Sequence, residues 1–460
     1  MIIPRQKIQY FYTLNNINYV HFIGIGGVSM SAIAKVLLNK GVKVSGSDFA
    51  KSASSDELAS LGADITIGHS ADNIKNPDLV VYTAAIAKDN PELQRAIDLG
   101  IETISRATML GRIMKEYKKA ISVAGTHGKT TTTSMMSYIL MKAQLDPTVM
   151  VGGNLDILNG NFRMGNSEYF LTESCEYCRS FLEFFPSVGI ILNVDEDHLD
   201  YYKDIEDIKS AFRDFIKLIP SDGILVTCAE DPEAMECAQV ANCTPITYGF
   251  DKGDYRAQNI TFDDFGYPSF DVYKNGDKVC SLTLSVVGRH NILNATASLA
   301  ASLAMGIPCE AIKEGLESYS GTKRRFEKKG HCNGALIIDD YAHHPTEMAS
   351  TFDAVKKIKH NTVWCIFQPH TYTRTKALFD DFAKVLSRVD RVILTDIYAA
   401  REKDTGLVSS KDLAEKIPDA KYIPDFKSIA EYMKKVACRG DIIITMGAGN
   451  VVDIADLIKD

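Results

Sequence analysis

Short apolar runs alternate along this chain with segments of helical spacing, and the alternation restarts twice. Asn18–Gly24 is a short apolar run that predicts a strand. A glycine-rich turn follows it, and then Ser31–Leu38, whose apolar spacing predicts a helix. Val42–Gly46, Asp64–Ile67 and Leu79–Thr83 predict further strands. From about Lys115 the pattern begins again. Ala120–Ala124 reads as a strand, a helix follows to about Ala143, and Phe170–Thr172 and Val188–Asn193 read as buried strands. Residues 246–287 differ in character. Two alternating runs, Ser269–Tyr273 and Val279–Thr283, flank Asn275-Gly276, the strongest short-range hairpin signal, and predict a small antiparallel insert. A third series starts near Ser320, with strands at Ala335–Asp339, Thr362–Phe367, Arg391–Thr395 and Asp441–Met446. Strands alternating with helices imply parallel pairing, so the expected class is α/β, with three units each built on a mainly parallel sheet flanked by helices. The expected boundaries are 1–114, 115–319 and 320–460. A length of 460 residues agrees with about 150 per domain.

Composition narrows the classes. Hydrophobic residues make up 45 % and charged residues 24 %, which excludes a disordered chain, a coiled coil and a collagen-like fibre. With 51 Lys and Arg against 59 Asp and Glu, the net charge of −8 argues against sequence-independent nucleic-acid binding. No apolar run approaches the roughly 20 residues that span a bilayer. The stretch MIIPRQKIQYFYTLNN has neither an apolar core nor a small-residue cleavage site, so no secretion signal and a cytoplasmic location are expected. The ten cysteines are scattered, as in a reducing compartment. The single CxxC pair, Cys175 and Cys178, lacks a second pair or a spaced histidine and reads as chance rather than as a metal or redox site.

Two glycine loops carry candidate chemistry. Gly125-Thr126-His127-Gly128-Lys129-Thr130-Thr131 lies between a strand and a helix, where backbone N–H groups and the helix dipole attract phosphate. Lys129 would reach the β- and γ-phosphates of a nucleotide, and Thr130 would place its hydroxyl on Mg²⁺. Val123 stands where the full pattern wants a glycine, so the loop is a shortened variant. Gly24-Ile-Gly26-Gly27-Val-Ser29 also joins a strand to a helix, and Asp48 ends the next strand. This resembles a dinucleotide fingerprint and predicts a bound pyrophosphate, with the nucleotide left open. Glu173 and the trio Asp195, Asp197 and His198 follow strands, on the sheet edge where ligands of parallel sheets bind. His198 taken alone reads as structural, because imidazole is an uncommon Mg²⁺ ligand. Gly321–Glu327 concentrates three cations from which an arginine could reach a transferring phosphate, or which could form a solvated linker. Asp339–Pro345 and Gln368–Arg374 offer polar side chains at strand ends, while Gly447-Ala-Gly449 reads as a structural turn.

In these strings, together with Glu173–Leu182, Asn193–His198, Gly288–Asn294 and Arg324–Glu327, the sequence resembles the Mur ligase family over essentially its whole length. The resemblance implies a Rossmann-like N-terminal domain that binds a UDP-sugar, a central ATP-binding P-loop domain and a Rossmann-like C-terminal domain. Among family members the strings are most similar to the enzyme that joins L-alanine to the lactyl carboxylate of UDP-N-acetylmuramate, with ATP as co-substrate and Mg²⁺ as cofactor. By motif, Gly24, Gly26, Gly27, Ser29, Asp48 and Arg106 are implied to bind the UDP-sugar, and the Gly125–Thr131 loop with Asn291 and Asn294 to bind ATP. Thr130, Glu173 and His198 are the implied metal ligands. Lys129, Glu173, His198, Arg325 and Asp340 form the implied catalytic set, and His343, His344, His370 and Arg374 surround the muramoyl carboxylate and the alanine. Two positions depart from the family pattern: Thr371, where some relatives carry arginine, and Cys175, within a string often richer in Asp. The rival readings are a murein-peptide-recycling ligase of the same family, an NAD-dependent dehydrogenase built on the first glycine loop, and a regulatory nucleotide-binding protein without turnover. Gly26-Gly27 and Ser31–Ala34 favour the alanine-adding member. No nucleic-acid or membrane partner is expected, and the oligomeric state is left open.

Overall fold

The computed structural model describes residues 17–460 apart from 84, 85, 200, 401 and 405. The stretch 1–16, which carried the expectation of no secretion signal, lies outside the described residues. Three sheets form. The first orders five parallel strands as β3-β2-β1-β4-β5, from β1 (Tyr19–Ile23), β2 (Lys43–Asp48), β3 (Asp64–Ile67), β4 (Leu79–Tyr82) and β5 (Glu102–Ser105). The second is built around the parallel strands β6 (Lys119–Ala124), β9 (Tyr169–Glu173), β10 (Val188–Ile191), β11 (Ile224–Cys228) and β12 (Ile246–Gly249), with β7 (Thr148–Leu155) and β8 (Gly160–Arg163) at one side. The third orders β16 (Glu327–Cys332), β17 (Ala335–Asp340), β21 (Ile442–Met446), β18 (Val363–Phe367), β19 (Arg391–Leu394) and β20 (Lys421–Tyr422), all parallel save β16. These central strands are rich in Val and Ile and buried on both faces, as parallel sheets sandwiched between helices require.

The expected antiparallel segment forms. The hairpin around Asn275-Gly276 has both residues at positive φ (51° and 98°), and it is joined to the central sheet rather than standing apart from it. β13 (Tyr255–Phe262) pairs in parallel with β12, and β14 (Pro268–Lys274) and β15 (Asp277–Thr283) follow it antiparallel, so the hairpin extends the central sheet to ten strands. The physical reason is burial. Tyr255, Ala257, Phe270, Val272 and Leu282 point alternately into the same core as Ile292, Ala295 and Leu299 of the helix Arg289–Ala304.

The two interdomain boundaries differ in kind. One continuous apolar cluster joins Val20, Ile33, Leu110 and Met114 of the first unit to Phe170, Phe181, Phe212 and Phe215 of the second. At its centre the helix Arg106–Met114 lies so close to the central domain that a Cβ on Gly111 would overlap the carbonyl oxygen of Glu183. The third unit has its own clusters and meets the centre through polar contacts. Arg374 donates to Asp197 at 3.0 Å, Thr346 to Asp195 at 3.1 Å, and Lys328 to the Tyr267 hydroxyl at 2.8 Å. A large apolar interface welds two units, whereas a polar one permits relative motion. Movement between domains therefore belongs to the third unit.

Candidate active site

The strands β9, β6 and β10 are neighbours and run the same way, so the residues after their C-terminal ends share one edge. Gly125–Gly128 follows β6, with Gly125 and Gly128 at positive φ (141° and 86°). Gly128 caps the helix Lys129–Lys142 without any side-chain partner, which leaves its first N–H groups for an anion. Asn193 clamps the loop: its side-chain oxygen accepts the His127 N–H at 2.8 Å and its amide donates to the His127 carbonyl at 3.0 Å. Lys129 Nζ folds back on the carbonyls of Gly125 (2.5 Å) and Thr126 (2.9 Å) and pairs with Glu176 at 2.9 Å. Burial works against the ammonium, but the Glu176 carboxylate outweighs it and keeps Lys129 charged.

Among the expected metal ligands, Thr130 and Glu173 come together: the hydroxyl donates to the carboxylate at 3.0 Å. Glu173 also accepts the Gly152 N–H at 2.5 Å, while burial pushes its carboxyl up, a cost that a bound cation would relieve. His198 instead joins Glu176 and Asp197, with Nε2 3.8 Å from a carboxylate oxygen of each. These oxygens and one imidazole suit a hard divalent cation. Cys175 lies beside them, and burial and the neighbouring Glu176 push its thiol up to about 11, so in the absence of a cation it is protonated at neutral pH. A second cluster, His127, Asp195 and His344, does not fit a metal. Burial disfavours the charged form of His127, yet Asp195 and Glu347 raise it to about 9. His344 accepts the Thr346 N–H on Nδ1 at 3.3 Å, which places its proton on Nε2. Both rings are donors there, and a metal needs lone pairs.

A cavity of about 400 Å³ opens beside the loop. His127, Gly128, Thr131, Asn291, Asn294, Arg325 and Asp340 all line it. Asn294 donates to Asn291 at 3.1 Å, and Asn291 to the Val287 carbonyl at 2.7 Å, so the two amides are held in fixed orientation. Burial raises Asp340 to about 6, with Thr351 donating to it at 2.6 Å. The two neighbouring arginines diverge. Arg324, at φ 63°, turns into its own domain and donates to the carbonyls of Gly447 (2.8 Å) and Gly449 (3.0 Å) and to the buried Asp339 (3.2 Å). The Gly447–Gly449 turn is thus structural. Arg325 faces the cavity and Glu347, 3.6 Å away.

Of the four substrate-side residues, three gather opposite His198. Arg374 approaches His370 at 3.4 Å while binding Asp197, and the His343 and His370 rings lie 5.9 Å apart. Burial lowers His343 to about 4, so it is neutral at pH 7. His344 turns away and packs beside His127, with ring centroids 4.9 Å apart and the planes tilted by 40°. Thr371 holds φ 64°, a strained value for a β-branched residue, fixed by its N–H to the Tyr398 carbonyl at 2.9 Å. In the first unit, Gly24 and Ile25 donate to the Ser47 carbonyl, and Gly26 to Asp48 at 2.8 Å. The helix Val28–Asn39 then starts from Gly27 with no side-chain cap, which leaves the N–H of Ser29 and its neighbours available for a diphosphate. Arg106 is the first residue of the helix Arg106–Met114. Burial lowers its guanidinium, which lies near Cys175 across the domain boundary. Sequence reasoning missed Glu176 and Glu347. The only signal for Glu347 was its place in a first helical turn after Pro345, which marks a helix start and no chemistry.

Comparison with known proteins matches three family models in order: the Mur ligase family catalytic domain over residues 19–118, the Mur ligase middle domain over 123–302, and the Mur ligase glutamate ligase domain over 324–449. The chain is 54 % identical over 448 residues to the UDP-N-acetylmuramate–L-alanine ligase of Clostridium tetani, covering 96 % of this chain and 98 % of that one. Among solved structures it is similar to the UDP-N-acetylmuramate–alanine ligase of Thermotoga maritima, with TM-score 0.79, 31 % identity, and coverage of 95 % and 97 %. It is also similar to a murein peptide ligase of Psychrobacter arcticus, with TM-score 0.70, 26 % identity, and coverage of 96 % and 98 %. Three family models matched in order along the chain, together with 54 % identity over 96 % of it to a known ligase, show that the chain belongs to the Mur ligase family.

Proposed function

We propose that the chain joins L-alanine to the lactyl carboxylate of UDP-N-acetylmuramate at the expense of ATP, in the cytoplasm, as a step of peptidoglycan precursor synthesis. One observation carries the reading: the 54 % identity to an L-alanine ligase runs through all three sheets. Residues 1–114 would hold the UDP-sugar, 115–319 ATP, and 320–460 would close over both. Gly24, Gly26, Gly27, Ser29, Asp48 and Arg106 take the UDP-sugar. The Gly125–Thr131 loop, Asn291 and Asn294 take ATP. His343, His344, His370 and Arg374 face the muramoyl carboxylate and the amine.

A carboxylate is a poor electrophile toward an amine, so it is first phosphorylated. The lactyl oxygen attacks the γ-phosphate, ADP leaves, and the amine of alanine displaces phosphate from the acyl carbon. The first step brings an anion toward a polyanion. Lys129, released from Glu176, and Arg325 stabilise the charge that develops in flight. Thr130 and Glu173, and His198 with Glu176, would hold Mg²⁺, which neutralises phosphate charge when bound. Asp340 lies in the same cavity wall as Arg325 and adds to the field that orients it. Closure excludes water, which would otherwise hydrolyse the acyl phosphate.

The test is ADP release with ATP, UDP-N-acetylmuramate and L-alanine. Turnover that needs all three supports the reading. Turnover with a murein tripeptide in place of L-alanine would assign the recycling ligase instead, and NADH binding without UDP-sugar binding would overturn both.

A further inference from the structure

The charges of the central and third domains meet at one carboxylate. Glu347 stands on the first turn of the helix Pro345–Val355, with its side chain 12 % exposed. Oε1 lies 3.5 Å from His127 Nδ1 and 3.6 Å from Arg325 Nη1, and Oε2 accepts the His343 N–H at 3.1 Å. The other side of the His127 ring faces Asp195 at 3.4 Å. An ionic chain therefore runs Asp195–His127–Glu347–Arg325, from the phosphate loop to an arginine of the third domain. A carboxylate in the wall of a triphosphate cavity repels its ligand, so its presence there calls for a physical reason. Its surroundings supply one. Burial raises Glu347, but the cations His127 and Arg325 and the neighbouring His343 hold it well below the usual carboxylate range, and both cations face the one carboxylate.

We propose that Glu347 is a positioning residue for phosphoryl transfer: by bridging His127 and Arg325 it sets the distance and angle at which the third domain closes on the triphosphate. The proposal rests on the ligase reading for its reaction and on the polar interface for its motion. Glu347 touches no substrate. It acts through the two cations, and a misplacement of about 1 Å at such a site costs on the order of a hundredfold in rate.

The experiment uses the full-length enzyme and three variants, Glu347→Gln, His127→Gln and the double variant. ADP affinity is measured by calorimetry and turnover by ADP release. In each single variant kcat is expected to fall about a hundredfold, while ADP affinity and the KM for ATP stay within about threefold, because the loop offers phosphate its backbone N–H groups and the His127 ring is turned to Asp195 and Glu347. The double variant is expected to be no slower than the slower single one, since both changes cut the same bridge. Multiplied losses, or an unchanged kcat in either single variant, overturn the proposal. If Glu347→Gln does not fold, His127→Gln decides: a lowered kcat with normal ADP affinity supports the bridge, and a normal kcat sinks it. A second readout needs no turnover. X-ray scattering with a non-hydrolysable ATP analogue should show compaction of the unsubstituted enzyme and a weaker response in both single variants. Full compaction in the variants overturns the proposal. An unsubstituted enzyme that compacts but does not ligate would refute the ligase reading while the scattering still judges Glu347.

Discussion

Arg324 and Arg325 are adjacent and chemically identical, yet their loss should have opposite consequences. Arg324→Ala removes three hydrogen bonds, to Gly447, Gly449 and Asp339, and leaves the fully buried Asp339 with Thr445 at 2.7 Å as its remaining side-chain partner. Breaking a buried ion pair costs about 3–5 kcal/mol, and the partial exposure of Arg324 places it at the lower end, about 3 kcal/mol. A domain of this size loses roughly 4 °C per kcal/mol, so the third domain should melt roughly 12 °C lower. Burial already raises Asp339, so without Arg324 it protonates more readily, and the deficit should shrink as the pH falls. Arg325→Ala should leave melting within a few degrees, because its one ion pair is with Glu347, which keeps His127 and His343. Its kcat should fall about 10³-fold, or about 4 kcal/mol of barrier, with a much smaller change in the KM for ATP. Calorimetric melting and coupled ADP release on both variants decide it. A stable but inactive Arg324→Ala beside an active Arg325→Ala would reverse the assignment. Two active variants would return the pair to a solvated linker.

Lys129→Ala should abolish most turnover and lower the melting temperature modestly, because Glu176 is left buried without its cation; near-normal ligation would remove Lys129 from the phosphate site. Gly26→Val should weaken UDP-N-acetylmuramate binding in calorimetry, since even a Cβ there would stand 2.9 Å from both Asp48 and Ser52; unchanged affinity would place the diphosphate elsewhere. Burial raises Glu92, but His21, Ser47 and Asn73 outweigh it and hold its carboxyl at about 2 against 4.5. A depressed carboxyl contributes stability above the unfolded value and loses it as pH falls toward the folded one. About 3 kcal/mol should therefore fade between pH 4.5 and 2, and Glu92→Gln should flatten that part of the melting profile; a parallel profile would refute the assignment.

The sequence made the three sheets and both glycine loops legible, because strand period, helix spacing and glycine at strand–helix turns are local. Of the residues it singled out, Thr130 and Glu173 meet through a hydrogen bond, and Asn291 and Asn294 line one cavity beside the loop that carries Lys129. As chain neighbours, Arg324 and Arg325 are expected to point apart, with Arg325 toward the phosphate; the left-handed backbone at Arg324 and Phe326 that accompanies this is not legible in spacing. Glu347 escaped for another reason: an acid in a first helical turn is already explained by the helix dipole, and its partner His127 lies in another domain. The antiparallel segment was legible from its alternation and Asn-Gly turn, but its junction with the central sheet was not, because an alternating hairpin looks the same whether it stands alone or pairs with a further strand. Nothing in the spacing of Phe181 and Gly111 says that they join two domains.

That joint has a consequence for selectivity. With the first two units sharing one core, the span from the Gly24 turn to Lys129 is a fixed gauge. A nucleotide sugar moored by its diphosphate is measured against it. One whose reactive end falls short cannot be compensated by hinge motion, because no hinge lies between mooring and phosphate. Under the proposed function, length therefore screens candidates before any side chain tests their substituents, and the third unit is left to meet the carboxylate end and the amine.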